Sequence, residues 1–91
     1  MSFVYMIENA DQKLYVGITD NLNKRTYYHN TKQGARFTKS ETKFKLVFVE
    51  EYATIADARK REIQIKKWRR AKKEILIDRY KKGLRTKIDS V

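Results

Sequence analysis

The chain has 91 residues, enough for one domain rather than two, and carries 22 Lys plus Arg against 11 Asp plus Glu, for a net charge of +11. With no cysteine it has neither disulfides nor a Cys-based zinc site, and no apolar run approaches the roughly 20 residues of a membrane span. Such an excess of positive charge attracts polyanions, nucleic acid first among them, because Lys and Arg release the counterions condensed on phosphates.

The opening Met1-Ser2-Phe3-Val4-Tyr5 lacks the basic n-region and cleavable apolar stretch of a signal peptide, so a cytoplasmic protein is expected. Phe3–Glu8 and Leu14–Ile18 are β-rich runs separated by the polar Asn9-Ala10-Asp11-Gln12-Lys13, a hairpin pattern. Both runs are apolar at nearly every position, which predicts a sheet covered on both faces. A loop of three or five residues puts Tyr5 and Tyr15 on one face of neighbouring strands; an even loop puts them on opposite faces. The odd loop is the expectation.

Thr19-Asp20-Asn21 is a helix-start signal, with Asp20 or Asn21 as N-cap and a helix from about Leu22 to His29. Leu22, Arg25 and His29 fall on one stripe of it, so Arg25 and His29 are expected near the sheet. A polar loop from Thr31 to Lys43 carries Lys32, Arg36 and Lys39. Phe44–Tyr52 reads as a third strand centred on Leu46, Val47, Phe48 and Val49. Thr54-Ile55-Ala56-Asp57 begins a helix with a capping-box-like T-x-x-D, running to about Arg70. A last helix spans roughly Lys72 to Lys82 and stops at Gly83, a natural C′ residue. The domain is therefore read as residues 1–83, with a loosely held tail from Leu84 to Val91. The fold class is α+β, a small three-stranded antiparallel or mixed sheet flanked by helices.

One residue does not fit a plain core. Ile55, Ala58, Ile65 and Arg69 recur at i, i+3, i+10 and i+14, and Glu62 falls at i+7, near the middle of that stripe. A carboxylate there is costly to bury unless it is paired or binds a cation. One reading is an internal salt bridge to Arg25 or Arg69, or a side chain that snorkels to the rim. The other is a ligand for Mg²⁺ or a similar hard cation, which needs only one or two protein carboxylates beside water and substrate phosphate.

The ordered set Tyr5, Tyr15, Arg25, His29 and Glu62 resembles that of the GIY-YIG nuclease superfamily, in its short stand-alone bacterial form. Phe3-Val4-Tyr5 and Tyr15-Val16-Gly17 match its two signature segments, ten residues apart from tyrosine to tyrosine, and Arg25 follows Tyr15 by ten more. The loop Gly34-Ala35-Arg36-Phe37-Thr38 and the run Lys66-Lys67-Trp68-Arg69-Arg70 are similar to segments of the short subfamily. The resemblance covers about Phe3 to Lys73. It departs at Phe3, where the family signature has glycine, and at Ile18, where some relatives carry a lysine.

That resemblance implies a divalent-metal-dependent endonuclease acting on DNA, with RNA ranked lower. It implies that Glu62 holds a single Mg²⁺ or Mn²⁺, that Arg25 contacts the scissile phosphate, and that Tyr5 and Tyr15 line the site. Tyr5, Tyr15 or His29 serves as general base. Tyrosine, with an ordinary pKa near 10, is the poorer base and histidine the easier one. Lys32, Arg36, Lys39 and Arg69 are expected to contact the nucleic-acid backbone, while Trp68 is expected to pack rather than stack on bases. The substrate would be branched, nicked or damaged DNA, with a protein partner supplying specificity. The competing reading is a non-catalytic nucleic-acid-binding module of the same fold. No membrane association is expected.

Overall fold

The computed structural model describes residues 1–22 and 44–88. Within them are β1 (Ser2–Asn9), β2 (Leu14–Thr19), β3 (Phe44–Tyr52), α1 (Ile55–Lys66) and α2 (Arg70–Lys81). The strands form one antiparallel sheet in the order β2-β1-β3. β1 is central, which explains its continuous apolar run: Val4, Tyr5, Met6 and Ile7 are all buried although they point alternately to the two faces.

The hairpin loop is odd. Asn9 closes it: its backbone N–H donates to the Lys13 carbonyl at 3.1 Å, and its Oδ1 accepts the N–H groups of Asp11 and Lys13 at 3.0 and 2.8 Å. Gln12 takes the left-handed conformation at φ 65°, the usual last residue of a three-residue hairpin loop. The resulting register sets Tyr5 opposite Gly17 and Ile7 opposite Tyr15. Tyr5 and Tyr15 therefore do share a face.

Helices α1 and α2 cover the other face. Val4, Met6 and Phe48 meet Ala58, Ile65 and Leu76 there, all six at 0% exposure, with Val47 and Ile77 completing the cluster. α1 begins as expected, with the Thr54 hydroxyl accepting the Asp57 N–H at 3.2 Å. It ends earlier than expected, at Lys66 rather than near Arg70. The N–H groups of Lys67 and Trp68 turn back to the carbonyls of Gln64 and Ile65, tightening the last turn, and Trp68 packs partly against the core. Trp68 is flanked by two cations, the Arg61 guanidinium 5.2 Å and the Lys72 ammonium 4.5 Å from its ring centroid. α2 starts at Arg70, with Arg69 as a cap that makes no side-chain hydrogen bond. Its far end carries Gly83 at φ +72°, with Gly83 and Leu84 donating to the carbonyls of Tyr80 and Arg79, a Schellman closure.

Two expectations about the polar residues are corrected. The stripe centred on Glu62 is not the buried face of α1: Ile55 is 47% exposed, and Arg69 lies beyond the helix end. The buried face is Ala58, Arg61 and Ile65. Arg61 is drawn in because β3 turns Glu50 onto the helix-facing side of the sheet, where a carboxylate needs a partner. The second correction concerns the tail. Arg61 also donates to the carbonyls of Thr86 and Ile88, so residues 84–88 are tied to the domain rather than loosely held.

Candidate active site

β1 and β2 position the two tyrosines. The Tyr5 ring, 6% exposed, lies across the backbone of its cross-strand partner Gly17. A Cβ built on Gly17 would sit 2.5 Å from the Tyr5 hydroxyl oxygen and 2.6 Å from Cζ. Only glycine leaves room for the phenol at this spot, which gives the glycine after Tyr15-Val16 a specific packing role. Tyr15 stands diagonally from Tyr5, a relation that places backbones roughly 7–8 Å apart. It is 43% exposed, and its ring meets Phe44 edge-on at 5.8 Å and 75°. One phenol is thus buried and held by the sheet, while the other is pinned at its edge and reaches solvent.

Glu62 stands on α1, and therefore on the helix-covered side of the sheet, opposite the face that Tyr5 and Tyr15 share. Viewed down the helix, Arg61 lies about 60° to one side of Ala58 and Glu62 about 40° to the other. The Arg61 flank meets Glu50 on β3, so the Glu62 flank turns the opposite way, toward β2. The Glu62 side chain is only 13% exposed, and its carboxylate pairs with Lys66 at 3.1 Å, a lysine that is itself 53% exposed. Among the described residues Glu62 thus pairs with Lys66 and not with Arg69, while the alternative bridge to Arg25 falls outside the described residues.

The charged cluster on the opposite flank of α1 is of another kind. The Arg61 Nε and Nη2 donate to the two Glu50 oxygens at 2.9 and 3.2 Å, and Nη1 donates to Gln64 at 2.6 Å. The Tyr52 hydroxyl donates to Glu50 at 2.9 Å. Burial, and then the hydrogen bond to Glu50, push the Tyr52 hydroxyl pKa well above the ordinary tyrosine range. The guanidinium has used every N–H it owns.

Among the described residues no group of three or more His, Cys, Asp or Glu gathers around a common point. From the described residues, a metal would therefore draw on few protein oxygens. Glu62 fits that demand: its carboxylate can accept about four hydrogen or coordinate bonds, and Lys66 uses one of them. Mg²⁺ commonly takes one or two carboxylates and completes its shell with water and phosphate oxygens.

Of the residues expected to act with Tyr5, Tyr15 and Glu62, Arg25 and His29 lie outside the described residues, as do Lys32, Arg36 and Lys39. Arg69 is exposed at the turn between α1 and α2. Two contacts lie beyond the residues expected from sequence, Phe44 against Tyr15 and Tyr5 against Gly17. The second was accessible in principle, because the odd hairpin loop fixes that register. No helix among the described residues is long and apolar enough to cross a membrane.

Comparison with known proteins agrees with this architecture. A model of the GIY-YIG catalytic domain matches residues 1–75. A UPF0213 protein of Syntrophus aciditrophicus is 46% identical over 77 residues, covering 84% of this chain and 88% of the relative. One from Staphylococcus aureus is 43% identical over 75 residues, covering 82% and 92%. The solution NMR structure of a UPF0213 protein from Bacillus halodurans superposes with a TM-score of 0.56 at 30% identity, covering 86% of this chain and 84% of that one.

Proposed function

This chain belongs to the GIY-YIG catalytic-domain family, and from that membership we propose that it is a divalent-metal-dependent endonuclease hydrolysing DNA phosphodiester bonds. Branched, nicked or damaged DNA is the substrate class, a repair context in the cytoplasm is the setting, and a protein partner adds selectivity that a domain this small lacks. The observation that carries the reading is the asymmetry around Glu62: a nearly buried carboxylate on the flank of α1 toward the β2 edge, whose ion-pair partner among the described residues is one exposed lysine.

In the proposed reaction a water attacks phosphorus and the P–O bond to the leaving oxygen breaks. Tyr5, Tyr15 or His29 takes the proton from that water. Arg25 holds the phosphate, since a planar guanidinium matches two of its oxygens. Glu62 holds the Mg²⁺ or Mn²⁺, which when bound would offset the negative charge that grows on the phosphate and leaving oxygens. Tyr15, exposed and pinned by Phe44, is positioned to meet substrate, whereas Tyr5 orders the site from beneath. Lys32, Arg36, Lys39 and Arg69 contact the DNA backbone.

A second reading, a nucleic-acid-binding module without catalysis, has one observation in its favour. The Glu62–Lys66 contact is also an ordinary helical i,i+4 pair. Nicking of supercoiled plasmid, with Mg²⁺ or with EDTA, by the wild type and Glu62→Ala separates the two. The endonuclease reading expects Mg²⁺-dependent nicking that the variant loses while it still retards DNA in a gel. Cleavage and binding lost together would remove Glu62 from the metal role, and binding without nicking by either protein would favour the module.

A further inference from the structure

Beside Tyr15 the hairpin turn and the first turn of α2 enclose an open groove of about 290 Å³, lined by Lys13, Leu14, Tyr15, Arg70 and Lys73. We propose that this groove seats the sugar-phosphate backbone of the DNA strand next to the position of cleavage, with Lys13 and Lys73 as its phosphate contacts. The inference rests on the endonuclease reading and extends it to residues outside the expected contact set.

Local structure aims the cations. Lys13 is carried at the end of the turn that Asn9 clamps through two hydrogen bonds, so its backbone is fixed while its side chain is exposed. Lys73 stands one helical turn into α2, half-buried beside the same groove. Among the described residues neither lysine forms an ion pair. Arg70 is different: Glu74 holds its Nε at 2.8 Å and Glu8 lies 3.7 Å from Nη2, so it shapes the wall with its charge largely answered. Two positive charges without an ion pair among the described residues thus face a groove whose other wall is the half-exposed phenol of Tyr15.

The larger cavity, about 530 Å³ at the β3 edge, makes the contrast. It too is basic, with Lys60, Arg61 and Lys87 in its lining. Yet every Arg61 N–H is already used, and Lys87 donates to the Glu51 carbonyl and lies over the Tyr52 ring at 4.2 Å. Two of its three cations, Arg61 and Lys87, are committed to the fold, and the lining also carries the Asp57 carboxylate. The smaller groove falls just under the roughly 300–1,000 Å³ of an enclosing small-molecule pocket and has no carboxylate in its lining, and Lys13 and Lys73 form no ion pair among the described residues, which suits a strand passing through.

The test is fluorescence anisotropy of a labelled DNA duplex, titrated with protein over a range of salt. The variants are Lys13→Gln with Lys73→Gln, and, as a control of equal charge loss, Lys81→Gln with Lys82→Gln at the other end of α2. Each phosphate contact contributes about 0.9 to the slope of log affinity against log salt, so the groove variant should lose about 1.8 of slope and roughly ten- to a hundredfold in affinity at low salt. The control should stay near the wild type, and Lys13→Arg with Lys73→Arg should restore the slope. Equal losses in the groove and control variants would reduce the effect to net charge and overturn the proposal. So would a wild-type slope in the groove variant, with the endonuclease reading left standing. A wild type without salt-dependent binding would overturn that reading and the groove with it.

Discussion

Arg61 and Glu62 are neighbours in α1, yet the domain treats their charges in opposite ways. Toward β3, Arg61 and Glu50 are 6% and 1% exposed in their side chains, and the guanidinium is saturated by Glu50, Gln64 and two tail carbonyls. Toward β2, Glu62 has one exposed lysine as its partner among the described residues. A buried ion pair with complete partners specifies structure, whereas a nearly buried carboxylate with incomplete partners is a cost that a ligand can offset. The comparison assigns stability to the β3 side and chemistry to the β2 side, and each assignment can be broken separately.

The largest expected effect falls on the β3 side. Arg61→Leu strands the Glu50 carboxylate and releases the tail, which should cost about 3–5 kcal/mol. At about 4–8 °C per kcal/mol for a domain of this size, the thermal midpoint drops by more than about 12 °C, read by circular dichroism. Activity per folded molecule at low temperature should hold, and a selective loss of cleavage would show that the two sides are not separate.

Glu62→Gln should do the reverse. Cleavage should fall about 10²–10³-fold, the scale of losing one strong charge stabiliser of a transition state. Stability should move by no more than about 1 kcal/mol, since the Lys66 end of the pair is 53% exposed and the amide keeps an oxygen to accept from it. Gly17→Ala lies between the two. The new methyl meets the Tyr5 phenol, so overpacking should cost about 1–3 kcal/mol, and cleavage should fall further than the stability loss explains. A Tyr5→Phe change made together with it should recover part of the stability and none of the activity.

The smallest effect is a pH dependence. The Tyr52 hydroxyl titrates well above its unfolded value near 10, so the folded state holds its proton longer than the unfolded state. The stabilisation is complete below pH 10 and is lost as pH rises beyond it. Denaturation midpoints of the wild type should therefore decline more steeply above pH 10 than those of Tyr52→Phe. Parallel curves would mean the phenol is not coupled to Glu50.

The strands, the hairpin parity and both ends of the helical region follow from local rules that the sequence displays. Short apolar runs bounded by polar turns mark β1 to β3, Thr54 announces α1, and Gly83 closes α2. What local rules miss is long-range. The break between α1 and α2 depends on Trp68 docking into the core, and Arg69 is a poor cap that no propensity scale would choose. The burial of Arg61 depends on Glu50, eleven residues away, facing the same side. A stripe drawn from apolar spacing alone therefore put Glu62 at the centre of the helix face, when it sits on the flank. The candidate site was legible as a set of residue types at set spacings. Its arrangement around the β2 edge was not, because it requires knowing which flank of α1 faces β3.

Supercoiled plasmid nicking with Mg²⁺ or Mn²⁺, by the wild type, Glu62→Gln and Tyr52→Phe under single-turnover conditions, tests the division most directly. The account predicts equal metal-dependent nicking by the wild type and Tyr52→Phe, and almost none by a folded, DNA-binding Glu62→Gln. Wild-type nicking by Glu62→Gln, or nicking by none of the three while all bind DNA, would contradict it.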